Sequence, residues 1–367
     1  MNLRYKPGLV RRLVSIVVLA CALAPAARAG PGLLVGVDDD GLKWEPSAAF
    51  LAPVQDLGVG AVRVTFDWRP GRTRPSFSDA GELVNVETAS ATTRVVVEVG
   101  GGPRSVPPRT RRQRTQYCAY LAGVLRAAPG VRDVAIWTEA NQPRFWRNPD
   151  AAAYVALLAR CYDVLHRARP DVNVIASVGP HKRIRGAIGP RRWYAELGAA
   201  YRASGRQRPI FDTVGHNAYP DSPFEPPWTV HRGGPSIDEG DYAALMRVLS
   251  RAFGRTAQPL PGRRGVTIWY LEDGYQSSVG ERRGAYHGRE NVAELLDPGF
   301  QGWQLQASVR LAYCQPAVGA FFNFQLRDDP NLVGWQSGVL YADGTSKPAY
   351  DLLRDALRDV AVGAVAC

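Results

Sequence analysis

The sequence is poor in the side chains that build metal and redox centres. Five cysteines and five histidines are spread over 367 residues. No cysteine pair has C-x-x-C spacing and no histidine pair has ligand spacing, which argues against a zinc module and against a barrel metallohydrolase. The first β-branched run, Leu33–Val37, leads into Asp38-Asp39-Asp40 rather than a Gly-rich loop. Those carboxylates repel phosphate, which disfavours a doubly wound nucleotide-binding sheet. No Ser/Gly linker and no short-period repeat breaks the chain, so it reads as one domain. A bilayer span needs about 20 apolar residues, and no stretch offers them.

The N-terminal segment stands apart. Arg4, Lys6, Arg11 and Arg12 precede the uncharged run Leu13–Leu23, and Ala27-Arg28-Ala29 supplies the small residues of a cleavage site. This is the pattern of a signal peptide over residues 1–29, cut before Gly30. It implies a secreted, periplasmic or cell-wall protein without stable membrane insertion. An uncleaved anchor and a lipid-bearing Cys21 are the competing readings, and Leu19 is larger than a lipidation site usually takes. The segment holds five basic residues and no acid, so the formal charge falls from +11 to +6 on residues 30–367. The excess is arginine in runs such as Arg109–Arg114 and Pro261–Arg264. They lack the interleaved aromatics of a nucleic-acid surface and read as solvated faces.

What remains alternates short β-branched runs with longer amphipathic ones. Strands are expected at Leu33–Val37, Ala61–Phe66, Arg94–Val99, Val131–Trp137, Val172–Ser177, Asp212–Asn217, Val266–Glu272 and Ala317–Phe324. Most are near-continuously apolar, as parallel strands covered on both faces must be. Helices are expected at Ser47–Leu57, Gln113–Ala127, Ala151–Ala168, Arg191–Ala203, Glu239–Phe253, Gln301–Tyr313 and Pro348–Val360. Between Ser76 and Thr93 the sequence is polar and predicts a short helix at best. Eight such units in series predict one (β/α)8 barrel over residues 30–367. Pro220–Ser236 and Gly274–Gly299 read as long irregular loops of the kind that line a barrel's active site.

In a barrel, chemistry sits at strand C-termini. The fourth strand ends Trp137-Thr138-Glu139-Ala140-Asn141, followed by Phe145-Trp146, and the seventh ends Leu271-Glu272-Asp273-Gly274. Two carboxyl groups at one barrel mouth suit glycosidic cleavage, in which one protonates the leaving oxygen and the other attacks the anomeric carbon. The first segment resembles the W-N-E-P-N…F-W signature of clan A glycoside hydrolases, nearest to the family 39-like and family 5-like groups. The resemblance implies Glu139 as acid/base and Glu272 as nucleophile, a retaining mechanism, an oligo- or polysaccharide substrate and no cofactor. Arg63 resembles the strand-two arginine beside the nucleophile, and His216 and Tyr219 resemble the strand-six His/Tyr pair. Gly338-Val339-Leu340 and Lys347-Pro348-Ala349-Tyr350 are similar to the clan's closing segment.

Two positions depart from that pattern. Thr138 replaces the Asn that bonds the sugar 2-hydroxyl, and one extra residue separates His216 from Tyr219. Thr138 also motivates a competing reading, a catalytically silent glycan-binding barrel. Trp68, Trp146, Trp228 and Trp335 fall in loops after strands, where rings either stack on sugars or pack the loop. Trp44 and Trp303 read as core, and Asp328 and Asp329 as loop acids. Glu98 is the rival carboxylate. Consecutive outer helices of a barrel are neighbours, so the fold implies a Cys118–Cys161 disulfide, and the tail after the last helix can fold back on the helix that Cys314 closes, which implies Cys314–Cys367.

Overall fold

The structure, a computed structural model, describes residues 30, 32–102, 105–181, 183–262, 265–290 and 292–367. The signal-peptide reading of residues 1–29, with Cys21, lies outside them. Eight parallel strands close in sequence order into a barrel. They are β1 (Leu34–Asp38), β2 (Ala61–Asp67), β3 (Arg94–Gly100), β4 (Asp133–Ile136), β5 (Asn173–Val178), β6 (Thr213–Asn217), β7 (Thr267–Asp273) and β8 (Val318–Phe324). The helices are α1 (Gly41–Trp44), α2 (Ser47–Leu57), α3 (Phe77–Ser90), α4 (Arg111–Ala127), α5 (Ala151–Ala168), α6 (Pro190–Ala203), α7 (Tyr242–Phe253), α8 (Pro298–Tyr313) and α9 (Pro348–Val362). Among the described residues no helix is long and apolar enough to cross a membrane.

The strand period of two sorts side chains into layers within the barrel. At the bottom, Arg94 forms a two-pronged ion pair with Asp133, Asn173 donates to Asp133, and Thr213 donates to Asn173. Above them lies a dry layer of Ala61, Val96, Ala135, Ile175, Trp269, Leu271, Ala320 and Phe322. Gly215 gives β6 no side chain here, because a Cβ would come within 2.4 Å of the Leu271 side chain. The next inward positions, at the strand C-termini, are polar: Asp38, Arg63, Glu98, Ser177 and Asn217. A polar top over an apolar plug is what positions a site at one end only.

The expected short helix between Ser76 and Thr93 is instead the fourteen-residue α3. Its start is set by a capping box in which Ser76 and Asp79 satisfy each other's backbone N–H. Its buried face is Asp79, Leu83, Val86 and Ala89, a helical spacing with a carboxylate at one position, which hid it. That carboxylate is satisfied by Ser76 and the Tyr120 hydroxyl. The other corrections concern surface and loop residues. Trp44 is 66% and Trp303 40% exposed rather than core. Asp328 is no loop acid, because it pairs with Lys347 at 2.7 Å with both side chains fully buried, and accepts from Tyr286.

The structure contains both expected disulfides. Cys118–Cys161 joins α4 to α5, and Cys314–Cys367 ties the C-terminal tail to the end of α8. Cross-links over separations of 43 and 53 residues each constrain the unfolded chain by on the order of 4 kcal/mol. Replacing Cys118 and Cys161 together by Ala is therefore expected to lower the melting temperature by several degrees. Non-reducing peptide mapping of the natural chain should return these two pairs, and a Cys118–Cys314 link would contradict the helix order.

Candidate active site

A cleft of about 610 Å³ opens at the C-terminal ends of the strands. Its walls include Asp38, Arg63, Glu98, Thr138, Glu139, Tyr219, Glu272 and Trp335. The two carboxylates expected to share a barrel mouth do line one cavity.

Glu272 reaches it through an irregularity in β7. Alternation alone would turn Leu271 and Asp273 inward. The ladder slips on both sides, between His216 and Asn217 against β6 and between Tyr270 and Asp273 against β8. Such a bulge re-aims a side chain, and Glu272 faces the cleft beside Leu271. Arg63 donates to Glu272 Oε1 at 2.7 Å and the Tyr219 hydroxyl to Oε2 at 3.3 Å. Burial and the Glu272 charge push the Tyr219 pKa upward, so its hydroxyl keeps the proton it donates.

Arg63 serves three carboxylates at once. Beyond Glu272 it meets Asp38 at 2.5 Å and Glu98 at 2.9 Å. Burial works against its charge, but Asp38, Glu98 and Glu272 outweigh that and raise its pKa. Burial raises Asp38 and Glu98 above the ordinary carboxylate range, against the opposing pull of Arg63.

Glu139 stands on a constrained turn. Trp137 has φ 65° and Glu139 φ 36°, both in the left-handed region that ordinary side chains avoid. That is why β4 ends at Ile136, earlier than the expected Trp137. Helix tyrosines hold the turn: Tyr117 donates to Val99 O and accepts from Trp137 N, while Tyr154 donates to Ile136 O and accepts from Ser177 N. The amide of Asn141 brackets Gly179, donating to its carbonyl and accepting from its N–H. Gly179 lies against the acid itself, since a Cβ there would fall 2.6 Å from the Glu139 carboxyl carbon. Asn217 donates to Glu139 Oε1 at 2.8 Å.

Several expected site residues lie elsewhere. His216 faces outward, fully buried, with Nε2 on Ile237 O and Nδ1 near Tyr194. Strand alternation explains the exchange. Asn217 and Tyr219 share the inward parity, so the extra residue after His216 hands its place to Asn217. Trp68 and Trp146 are fully buried and line no part of the cleft. They belong to an aromatic column, Trp68–Tyr117–Trp137–Trp146–Tyr154, packed edge-on except for a tilted Tyr117–Trp137 step, between barrel and helices. Thr138 lines the cleft but donates to Glu98 at 2.6 Å, so its hydroxyl is turned away from the role expected of it. Trp335 does present a ring to the cleft, braced by Tyr219 and Phe324. The long loops also differ from expectation. The walls come from β1, β2, β3, β7 and β8 and from the segments after β1, β3, β4, β5 and β8, with only Tyr219 from the β6 loop and no described residue of Gly274–Gly299. The β6 loop instead lies on α8, where Gln304 donates to Pro223 O and Glu225 O. Trp228 of that loop packs edge-on against Trp303, away from the cleft.

A (β/α)8 barrel whose mouth gathers Glu98, Glu139 and Glu272 around a buried Arg63 is the class of scaffold these observations define. The fold is shared with several solved enzymes. A family 39 glycoside hydrolase from the gut symbiont Bacteroides cellulosilyticus WH2 aligns with a TM-score of 0.61 at 17% identity, over 90% of this chain and 64% of that one. The GH39 enzyme from Xanthomonas axonopodis pv. citri gives 0.55 at 18% identity, over 89% and 67%. A monomeric beta-xylosidase from Caulobacter crescentus CB15 gives 0.57 at 18%, over 90% and 69%. The chain thus spans a little under two thirds of the first of these. No family model matches the sequence, and no curated protein matches it.

The buried acids make stability depend on pH. Burial lifts Asp39 to about 6 and Asp273 to about 7, from 3.8. Above 3.8 the folded chain therefore holds protons that the unfolded chain has lost, and stability falls as pH rises through the folded values. His216, lowered by burial from 6.5 to about 4, opposes this only below its unfolded value. Lowering pH from 8 to about 6.5 is expected to raise the melting temperature, and a flat or falling curve in scanning calorimetry would contradict these burials.

Proposed function

We propose that this protein is an exported retaining glycoside hydrolase, with Glu139 as acid/base and Glu272 as nucleophile. The observation that carries it is the placement of the two carboxyl groups, from β4 and β7, in one cleft, each oriented by its own donors. In the first step Glu272 attacks the anomeric carbon while the Glu139 proton passes to the departing glycosidic oxygen. A glycosyl-enzyme ester forms and the exocyclic C–O bond breaks. In the second step Glu139 takes a proton from water, the water oxygen attacks the same carbon, and Glu272 is released. Retention of configuration follows from two inversions. Export is supported by the two disulfides, which persist in oxidising compartments.

The cleft also favours a neutral sugar. Seven acidic side chains line it against Arg63 and Arg144, and Arg63 is already committed to three of them. A uronic acid would add a further anion with only Arg144 left to meet it. A catalytically silent glycan-binding barrel is the second reading, favoured by the diversion of Thr138 to Glu98.

Glu272→Ala is expected to abolish hydrolysis of aryl glycosides while leaving the melting temperature close to that of the natural chain. Persistent turnover would remove Glu272 from the chemistry, and an inactive natural chain that still binds glycans would favour the silent barrel. Glu139→Ala should slow substrates with poor leaving groups by roughly 10²–10⁴-fold, spare activated aryl glycosides in the first step, and respond to azide. Equal losses on both substrate types would contradict its assignment. Aryl uronides should turn over at least about 100-fold more slowly than neutral aryl glycosides, the effect of several kcal/mol of like-charge repulsion. A preference for uronides would overturn the electrostatic reading of the cleft.

A further inference from the structure

The loop between β6 and α7 carries a second group of ionisable side chains, outside the cleft lining. One ligand-capable atom from each of Glu225, His231 and Asp238 lies within 4.8 Å of the others. His231 Nε2 is 3.0 Å from Glu225 Oε1, and Nδ1 is 3.6 Å from Asp238 Oδ2. All three residues line a void of about 10 Å³, room for roughly one water-sized sphere. Asp238 is only 5% exposed, and its Oδ1 has no hydrogen-bond partner. A buried carboxylate oxygen that has no protein donor and borders so small a void is a position that suits a cation.

We propose that Glu225, His231 and Asp238 bind one divalent transition-metal ion, best matched by zinc. One imidazole and two carboxylates form a three-ligand set that leaves a fourth position for water. Calcium prefers a larger all-oxygen cage. Asp241, fully buried, accepts from the His231 backbone N–H and lies 2.9 Å from ring Nδ1. With the Nδ1 proton held there, Nε2 keeps its lone pair for a metal beside Glu225, with a carboxylate behind the ligating histidine. Asp238, whose Oδ2 lies on the Nδ1 side, would reach that metal through its unpartnered Oδ1. A protonated His231 alone would pair with its neighbours but leave Asp238 Oδ1 unsatisfied. The ligands stand six and seven residues apart in an irregular loop, which is why helical or C-x-x-C spacing does not reveal them.

The ion would brace the exit of β6. Asp238 Oδ2 accepts from Asp221 N, and Asp221 accepts from Ser236. Tyr219, two residues before Asp221, reaches Glu272. The site stands independently of the proposed hydrolysis, because its readout is binding and stability.

The test uses the full chain, stripped with EDTA and titrated with zinc chloride under calorimetry and thermal denaturation. One zinc per chain should bind with a micromolar midpoint and raise the melting temperature by several degrees, while calcium chloride leaves it unchanged. Asp238→Asn and His231→Gln should remove the response, and Asp241→Asn should weaken zinc binding about 10–100-fold. Cobalt(II) bound to the natural chain should show the visible absorption of a low-coordinate site, which serves if a variant fails to fold. No zinc response up to millimolar concentration, or an equal response in Asp238→Asn, would overturn the proposal, the latter marking adventitious surface binding.

Discussion

The guanidinium of Arg63 is the point on which the barrel mouth turns. It is almost wholly buried, and it reaches carboxylates on β1, β3 and β7. It also donates to Leu271 O at 3.2 Å, next to the bulge that turns Glu272 inward. Three acids converging without a cation would repel one another and lose hydration together. Removing the cation from such a buried cluster typically costs 3–5 kcal/mol, because the acids then stay buried and unpaired. The arginine thus sets both where Glu272 points and how close Glu98 and Asp38 come to it.

The opposite wall is held by packing more than by charge. The column of Trp68, Tyr117, Trp137, Trp146 and Tyr154 fills the space between barrel and helices beneath the β4 turn. Two of its members use their hydroxyls to close the strand ends on either side of that turn. Left-handed backbone at Trp137 and Glu139 costs of order 1–3 kcal/mol each, and this aromatic support offsets it. The rings that seemed placed to stack on sugar are therefore what fixes the Glu139 side chain. Of the four loop tryptophans, Trp335 alone lines the cleft.

Much of this was legible in residue order because both periods are short-range. Eight β-branched runs gave the strands to within one or two residues, since parallel strands buried on both faces have no polar alternation to blur them. The Cys118–Cys161 disulfide followed from helix adjacency, and Cys314–Cys367 from a tail able to fold back on the end of α8. Strand parity also contained the correction at β6: Gly215, Asn217 and Tyr219 share a face that His216 does not. Other features depend on contacts between distant segments. The Thr138–Glu98 hydrogen bond joins β3 to the β4 turn, and no local pattern announces it. The β7 bulge arises from the registers of two neighbouring strands at once. The helix α3 carried a local signal in Ser76 and Asp79, but its buried carboxylate made the face read as polar.

The most direct test of the central claim is to trap the covalent intermediate. A panel of activated 2-deoxy-2-fluoro glycosides of neutral sugars, incubated with the full chain and followed by mass spectrometry, should add one glycosyl group per chain. Digestion should then place that group on the peptide containing Glu272. A label on Glu98, Asp38 or Glu139, from a sugar that is otherwise turned over, would contradict the assignment on which the account rests.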